Sequence, residues 1–444
     1  MLTASSTQLP QRAALVSFVG SMVEYYDFFI YGTAAALIFP RVFFANVDPA
    51  TATLLALLSF GVGYIARPVG AVILGHFGDR IGRKTVLVFT LLLMGGSTLA
   101  IGFLPDGRSI GSAAPVLLVL LRLIQGLSAA GEQSGSNSLT LEHSSQGNRA
   151  FFTSWTLSGT QAGAILATLV FIPIASLPED QLLSWGWRIP FLLSFFVLVI
   201  AYLVRRNMPE TPVFTEIRQK REVARFPLLM LLRDYWTDVL RVIVCALIAT
   251  VSTATAVFAL GYATSRFGVA RSTMLWAGVL GNVGALIIQP LWALLADRVG
   301  RKPVFIGGVL GCAVMIFPYF MAITTGDSLT IFVASFVLSG LIYAAPNAIW
   351  PSFYAEMFDA RVRYSGTAIG TQLGFLVAGF TPLVSQSVLR DGPNGWMPVA
   401  IFIALCCTVS AIAAATARET KSIDTEDLGK KAVIGSSKIS LSSA

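Results

Sequence analysis

Twelve apolar runs, each long enough to cross a bilayer, constrain this 444-residue chain more than any other feature. They lie near 13–39, 51–75, 85–104, 113–140, 150–176, 188–205, 239–265, 272–295, 303–324, 328–355, 365–388 and 396–416. A spanning helix needs about 20 mostly apolar residues. In lipid the backbone must satisfy its own polar groups, which leaves helices or a closed barrel. The strict alternation of barrel strands is absent from these runs. Composition agrees, because AVILMFWYC make up 55% of the chain and DEKR only 12%. A soluble domain is roughly one quarter charged. The expected fold is therefore an all-α membrane protein with twelve transmembrane helices.

The net charge of +8 would by itself suggest a nucleic-acid partner, but the positions of the charges argue against one. Twelve spans put both termini on one side. Six of the 31 Lys and Arg residues fall on the other side: Arg41, Arg108, Arg188, Arg266, Arg271 and Arg390. Arg67 and Arg122 fall inside spans, and all the rest lie on the side of the termini. Basic residues of short loops stay in the cytoplasm, so both termini are expected there, in a cell inner membrane, with lipid as the surrounding partner. Met1 to Arg12 is polar and runs directly into an apolar span, which predicts insertion through uncleaved helices. Two His and four Cys are too few for a zinc array or a disulfide scaffold. Cys245, Cys312, Cys406 and Cys407 sit in apolar stretches and read as small buried hydrophobes. No metal or organic cofactor is expected.

The chain divides into two halves. Residues 1–205 form one six-helix bundle, 206–236 a polar and basic linker loop, 237–417 a second bundle, and 418–444 a Ser-rich tail expected to be disordered. Internal repetition supports the division. Gly78-Asp-Arg-Ile-Gly-Arg-Lys after the second span matches Ala296-Asp-Arg-Val-Gly-Arg-Lys after the eighth at five of seven positions. Glu142 precedes Arg149 by seven residues, as Glu356 precedes Arg363. Met208-Pro-Glu-Thr after the sixth span faces Ala417-Arg-Glu-Thr after the twelfth. Parallel six-helix repeats are a common transporter organisation, with the substrate site between them near the midplane.

Gly75-His-Phe-Gly-Asp-Arg-Ile-Gly-Arg-Lys and its second copy resemble the loop signature of the major facilitator superfamily. A closer likeness, to the metabolite:proton symporter branch, rests on several further segments. They are Glu24-Tyr-Tyr-Asp-Phe-Phe-Ile-Tyr-Gly, Arg67-Pro-Val-Gly, Arg122-Leu-Ile-Gln-Gly, Gly131-Glu132, Trp185-Gly-Trp-Arg-Ile-Pro-Phe and Pro209-Glu-Thr-Pro-Val-Phe. The resemblance implies import of organic acids or zwitterionic solutes together with protons, by a chain able to work as a monomer. It also implies that Gly75, Gly78, Asp79, Arg80, Gly82 and Arg83, with Asp297, Arg298, Gly300 and Arg301, form a conformational latch. Simple topological anchoring is the alternative for those residues. Where the branch has a Gly pair after its Gly-Gly-Glu, this chain has Gln133 and Ser134, which implies a more polar cavity.

Charges inside spans are expensive and usually functional. Glu24, Asp27, Arg67, Arg122 and Glu132 are all in the first half. At 1.5 Å of rise per residue, Arg67 and Glu132 lie roughly 12–14 Å from the cytoplasmic ends of their helices and Glu24 about 16 Å. Asp27 lies about 21 Å deep and Arg122 about 28 Å. Depth allows an Arg67–Glu132 ion pair and, more loosely, Asp27 with Arg122. Arginine does not deprotonate in practice, so a carboxylate must carry any proton. Glu24 and Asp27 are the first candidates, having no partner at closely matched depth, and Glu132 is the next. Arg122, Gln125, Ala129, Glu132 and Ser136 share one helical face, as do Glu24, Asp27 and Tyr31. Tyr343, Asn347, Trp350 and Tyr354 form a polar-aromatic stripe on the tenth span. Candidate substrate contacts are Arg122, Gln125, Tyr31, Gln161, Tyr343, Asn347, Trp350 and Gln372, with Asn282 a weaker one.

No phosphate-binding loop or nucleophile–base constellation occurs, so neither an ATP-driven pump nor an enzyme is expected. His76 and His143, at span ends, read as interfacial. The leading expectation is a proton-coupled importer of a small carboxylate-bearing metabolite. Proton-coupled efflux of small molecules and a non-transporting solute sensor are the alternatives, and the absence of a large polar domain disfavours the sensor.

Overall fold

The structure is a computed structural model and describes residues 8–81, 83–175, 177–206 and 227–430. Twelve long helices account for most of it. The first half contains α1 (Gln8–Leu37), α2 (Pro49–Ile81), α3 (Arg83–Gly102), α4 (Ala113–His143), α5 (Arg149–Ala175) and α6 (Arg188–Arg206). The second contains α7 (Trp236–Thr264), α8 (Arg271–Val299), α9 (Arg301–Thr325), α10 (Ser328–Ala355), α11 (Arg363–Val388) and α12 (Met397–Thr416). Eleven meet a length and hydropathy standard for spanning a membrane. In α2 the apolar stretch is only Leu58–Leu74, yet the helix has 33 residues, about 50 Å of rise. The chain is thus a multi-pass membrane protein with the expected twelve helices in two six-helix repeats.

Close helix approach shapes the first half. A Cβ on Gly126 of α4 would sit 2.2 Å from the Gly63 carbonyl oxygen of α2, so Gly126 must stay bare, and one on Gly63 would press on Arg122 Nε at 2.8 Å. That approach brings Arg122, one turn earlier on α4, against Gly63. In the second half, Gly300 at φ 115° makes the sharp corner between α8 and α9. Only glycine adopts that conformation without strain. One-turn π segments interrupt α7 at Ala254–Phe258 and α10 at Phe336–Ile342. Such bulges recur at functional sites, and the one in α10 ends beside Tyr343.

The halves meet where α5 packs on α8 and α10, and α2 on α11. Two expectations change here. Much of the linker lies outside the described residues, but Pro227–Asp234 is a helix and not loop. Of the tail, expected to be disordered after Thr420, residues 421–430 are described and pack against the bundle, and the rest lies outside the described residues. Leu428 is fully buried against Leu141 of the first half and Ala355 of the second. The Tyr235 hydroxyl donates to the Gly429 carbonyl at 3.0 Å. Leu428, with Ile423 packed beside it, explains in part why this largely polar segment holds a position.

Leu428→Asp should release this segment. Burying a Leu side chain is worth about 1.5–3 kcal/mol. Cleavage of the tail by an added protease should therefore rise at least about tenfold, while the twelve-helix bundle still forms and elutes as one species.

Candidate functional site

Two groups of buried charge stand out, one in the middle of the first half and one at the end of the bundle that carries the termini. The central group lies on α1, α2, α3 and α4. Asp27, Glu24, Arg122, Arg67 and Gln125 are all nearly or fully buried. Four charges removed from water must find partners, and their partners define the site.

Arg122 spreads its guanidinium over the Tyr31 ring, with Cζ 4.1 Å from the ring centroid and Phe60 and Phe28 at 5.1 and 5.4 Å. Arg67 lies 5.0 Å from the Tyr64 ring and 5.4 Å from Phe28, so one phenyl ring serves both arginines. Cation–π contacts of this kind strengthen when water is excluded. Tyr31 is fully buried and donates to the Ser59 hydroxyl at 2.9 Å. It therefore supports Arg122 and does not line the void beside it. Arg122 Nη1 donates to Gln125 Oε1 at 3.1 Å, and its Nε has no hydrogen-bond partner among the described residues. A small void with room for about one water lies here inside the first half, lined by Phe28, Arg67, Met94, Arg122, Gln125 and Ala129.

The pairings depart from those expected. Arg67 Nη2 is 3.7 Å from Glu24 Oε1, so Glu24 does have a cationic partner at its own depth. The Glu132 side chain lies outside the described residues, which leaves the expected Arg67–Glu132 pair without a test. Asp27 and Arg122 are linked indirectly. Asp27 Oδ2 accepts from Thr98 Oγ1 at 2.7 Å, Thr98 Oγ1 accepts from Gln125 Nε2 at 2.7 Å, and Gln125 Oε1 takes Arg122. Depth reasoning finds Asp27 and Arg122 but not the helix between them. Thr98 on α3 escapes sequence reasoning because one Thr in an apolar run carries no signal.

Other expected contacts fall at different depths of burial. Tyr343 and Gln161 are half-buried, and the Tyr343 ring stands opposite Tyr25 of the first half, close to Ser252. Gln133 Nε2 donates to the Tyr25 hydroxyl at 3.0 Å, which places the polar departure at Gln133 beside the aromatic wall. Trp350 donates its indole N–H to Asn347 Oδ1 at 3.3 Å, so that part of the stripe is partnered internally. Gln372 is fully buried on α11, Tyr354 is fully buried on α10, and Asn282 is half-buried on α8.

The second group joins the halves. Arg149 of the first half pairs with Glu356 of the second through Nε at 3.1 Å, and Arg363 of the second half pairs with Glu142 of the first at 3.1 Å. These are the residues of the Glu–Arg repeat, each arginine taking the other half's glutamate. Arg301 bridges Asp297 at 3.0 Å and Glu356 at 3.2 Å. Asp297 also accepts from the backbone N–H groups of Ala150 and Phe151, at 3.1 and 2.9 Å, and so caps α5 from the opposite half. Charge at a helix N-terminus is favourable there. Arg149 further donates to the carbonyls of Thr420 and Ile423, each at 2.9 Å, and Thr420 donates to Glu356. Of the residues expected to form a latch, Asp297 reaches across to the first half, while Arg301 pairs within the second half with Asp297 and Glu356. Arg298 contributes its carbonyl to Lys421. Gly82 and the side-chain surroundings of Gly75, Gly78, Asp79, Arg80 and Arg83 lie outside the described residues. His143 bonds the Leu139 carbonyl through Nδ1 at 2.8 Å, a helix-end contact.

A bundle of two parallel six-helix repeats with buried charges inside the first repeat, and a seam of ion pairs closing one end, is the build of a membrane transporter and not of an enzyme. Comparison with known proteins agrees. Residues 13–229 match the family described as "Sugar (and other) transporter", and residues 242–442 match "Major Facilitator Superfamily". The shikimate transporter of Escherichia coli (strain K12) is 39% identical, across 93% of this chain and 95% of that one. The proline/betaine transporter of the same strain is 29% identical across 92% and 84%. A structure of the proton:xylose symporter XylE bound to 6-bromo-6-deoxy-D-glucose superimposes with a TM-score of 0.78 at 17% identity, across 95% of this chain and 99% of that one. The chain belongs to the major facilitator superfamily.

Glu356 is the seam's hub, and Glu356→Gln should leave Arg149 without its carboxylate across the seam and Arg301 with Asp297 alone. Breaking a buried pair costs about 3–5 kcal/mol. A cysteine replacing Ala355, which is fully buried here, should be labelled by a soluble maleimide at least about tenfold faster in that background.

Glu419 adds a pH-dependent element outside the spans. Burial raises its carboxyl, but the backbone N–H groups of Arg301, Lys302, Lys421 and Thr420 outweigh burial and hold it below the ordinary glutamate value. A depressed carboxyl gives stability that is present above the unfolded value, about 4.3, and lost as pH falls through the folded one. Hydrogen exchange at the Arg301 and Lys302 amides, taken relative to the intrinsic rate at each pH, should therefore rise as pH drops below about 4, and Glu419→Gln should remove that rise.

Proposed function

We propose that this protein takes up a small carboxylate-bearing metabolite together with a proton, by alternating access, through the cavity between α1, α2 and α4. The observation that carries the reading is Arg122: a buried guanidinium lining a cavity, held by aromatic rings and one amide oxygen, with its Nε unpartnered. A cation so placed, short of a full set of acceptors, favours an anion that arrives with its own oxygens. Asp27 is the proton carrier, since its Oδ1 has no hydrogen-bond partner and its link to Arg122 is indirect. Glu24, next to Arg67, is a positioning residue in this reading.

The seam of ion pairs closes the end with the termini, which the loop charges make the cytoplasmic end. In this reading the described conformation takes solute from outside. Release inward requires the Arg149–Glu356 and Arg363–Glu142 pairs to part and be hydrated. Similarity to the shikimate transporter supports an acid as solute, and a cyclic hydroxylated acid is the form favoured. Arg122 would hold the carboxylate, and Tyr25, Gln133 and Tyr343 would meet the hydroxyl groups. A quaternary ammonium solute, which the proline/betaine transporters suggest, is disfavoured because Arg67 and Arg122 already cover Phe28 and the rings beside it.

The test uses proteoliposomes and labelled shikimate, with benzoate, proline and xylose as further arms. An imposed inward proton gradient should drive accumulation of an acid and not of xylose. Asp27→Asn should abolish accumulation at least about tenfold while leaving exchange of internal for external solute, which moves no net proton, within about threefold. Arg122→Lys should weaken binding about tenfold or more, because a point charge cannot keep the stacked planar geometry. Accumulation by Asp27→Asn equal to the wild type would end the assignment of the carrier.

A further inference from the structure

Thr98 is fully buried between two groups already described. Threonine hydroxyls in helices often bond a carbonyl one turn back, and Thr98 does so with Met94 at 3.0 Å. Two further contacts set it apart. The same oxygen is 2.7 Å from Asp27 Oδ2, a second acceptor, and accepts from Gln125 Nε2 at 2.7 Å. A hydroxyl has one proton to donate and two lone pairs. It can serve the carboxylate or the carbonyl, but not both at full strength.

We propose that Thr98 is a two-position hydrogen-bond switch that reads the protonation of Asp27 and passes it through Gln125 to Arg122. The proposal rests on the reading of Asp27 as the proton carrier. With Asp27 ionised, Arg122 donates to Gln125, Gln125 to Thr98, and Thr98 to Asp27. Every bond points from the guanidinium toward the carboxylate, and bonds in such a series polarise one another. When a proton binds Oδ2, the new Asp27 O–H donates to Thr98 Oγ1. The Thr98 proton then turns to the Met94 carbonyl, and its lone pairs accept from Asp27 and Gln125. Rotation about a single C–O bond completes the change, and Thr98 and Gln125 each keep a partner for every hydrogen bond just named. The proton enters at the carboxylate and leaves from it.

The consequence lies at Arg122. In the ionised state an anion terminates its hydrogen-bond chain. In the protonated state that anion is gone, and the guanidinium becomes the better partner for an arriving carboxylate. Proton and solute then favour each other's binding, which is the coupling that symport needs. Among the described residues, the charged group acting on Asp27 from the neighbouring helices is Arg122 of α4. Glu24 and Arg67 lie 3.7 Å from each other, and Tyr26 is the titratable neighbour on α1 itself. From α5 and α6 the contacts at this level are the backbone of Gly163 and Pro190 against Tyr26.

Infrared difference spectra of the full-length protein in lipid, recorded across a pH titration without solute, test the switch. The probe is the C=O stretch of a protonated carboxyl group. Asp27→Asn should delete one such band. If no band is lost, the reading of Asp27 fails and the switch fails with it. If the band is lost, the proposal is judged on Thr98. Thr98→Val keeps the shape and removes the acceptor for the Asp27 O–H, so the band should move to higher frequency. Thr98→Ser restores the hydroxyl and should return it to the wild-type position. A Thr98→Val band that coincides with the wild type would overturn the switch while leaving the carrier in place. Where Thr98→Val does not reach the membrane, Gln125→Met removes the other partner of the same hydroxyl. It should displace the band in a folded protein, and an unmoved band there would equally overturn the proposal.

Discussion

The reciprocal exchange of glutamates between the two halves is the interaction on which the described conformation depends. Arg149 and Arg363 are fully buried, as is Glu356, and each arginine finds its anion across the seam. A guanidinium taken out of water without a partner costs several kcal/mol, so neither half can bury these groups alone. The closed end is therefore a joint product of both repeats. The same arithmetic sets the route out of this state. Separating the halves lets water replace the partners, and a hydrated ion pair contributes little. A buried pair so close to break-even would suit the opening and resealing that the proposed alternating access requires.

The central charges follow another rule. Glu24, Asp27, Arg67 and Arg122 all belong to the first half, while the second half offers Tyr343, Asn347 and Trp350 toward the interface. One half holds the charges and the other supplies shape and neutral polarity. Because the four charges share one rigid bundle, with Gly63 and Gly126 holding α2 and α4 together, rocking of the repeats need not pull any of their ion pairs apart. The electrostatics at the site can then respond to proton and solute alone, and the seam to the position of the halves.

Much of this was legible in the sequence, and the physical reason is plain in each case. Span number follows from hydropathy because lipid tolerates no unpaired backbone. The buried charges were visible because charge inside a span is rare. The Glu142–Arg149 and Glu356–Arg363 repeat was equally visible, but spacing along one chain does not say that partners are exchanged across a pseudo-twofold. Glu24 looked unpartnered because depth was taken helix by helix, and a long Arg67 side chain reaches a neighbour a few ångströms away in height. Thr98 and Leu428 gave no signal. Each is an ordinary residue whose importance comes wholly from what two other segments place beside it. The packing of residues 421–430 was missed for the same reason, since a mostly polar composition describes the segment and not the pocket that Leu428 fills.

Leu428 and Glu356 together show how the seam can be both tight and reversible. Glu356 engages Arg149, Arg301 and Thr420, so the tail is tied to the hub of the ion pairs and not only to the protein surface. Leu428 inserts just beyond, between Leu141 and Ala355. An apolar contact between the halves is worth most when water is fully excluded, and the ion pairs beside it are strongest under the same condition. Loss of either admits water to the other. The two contacts therefore form and break as a unit, and the closed end has two states, sealed or hydrated, with little stability in between. A transporter that leaks at neither end needs that discreteness, and here it comes from a leucine in an otherwise polar tail and one glutamate shared by two arginines.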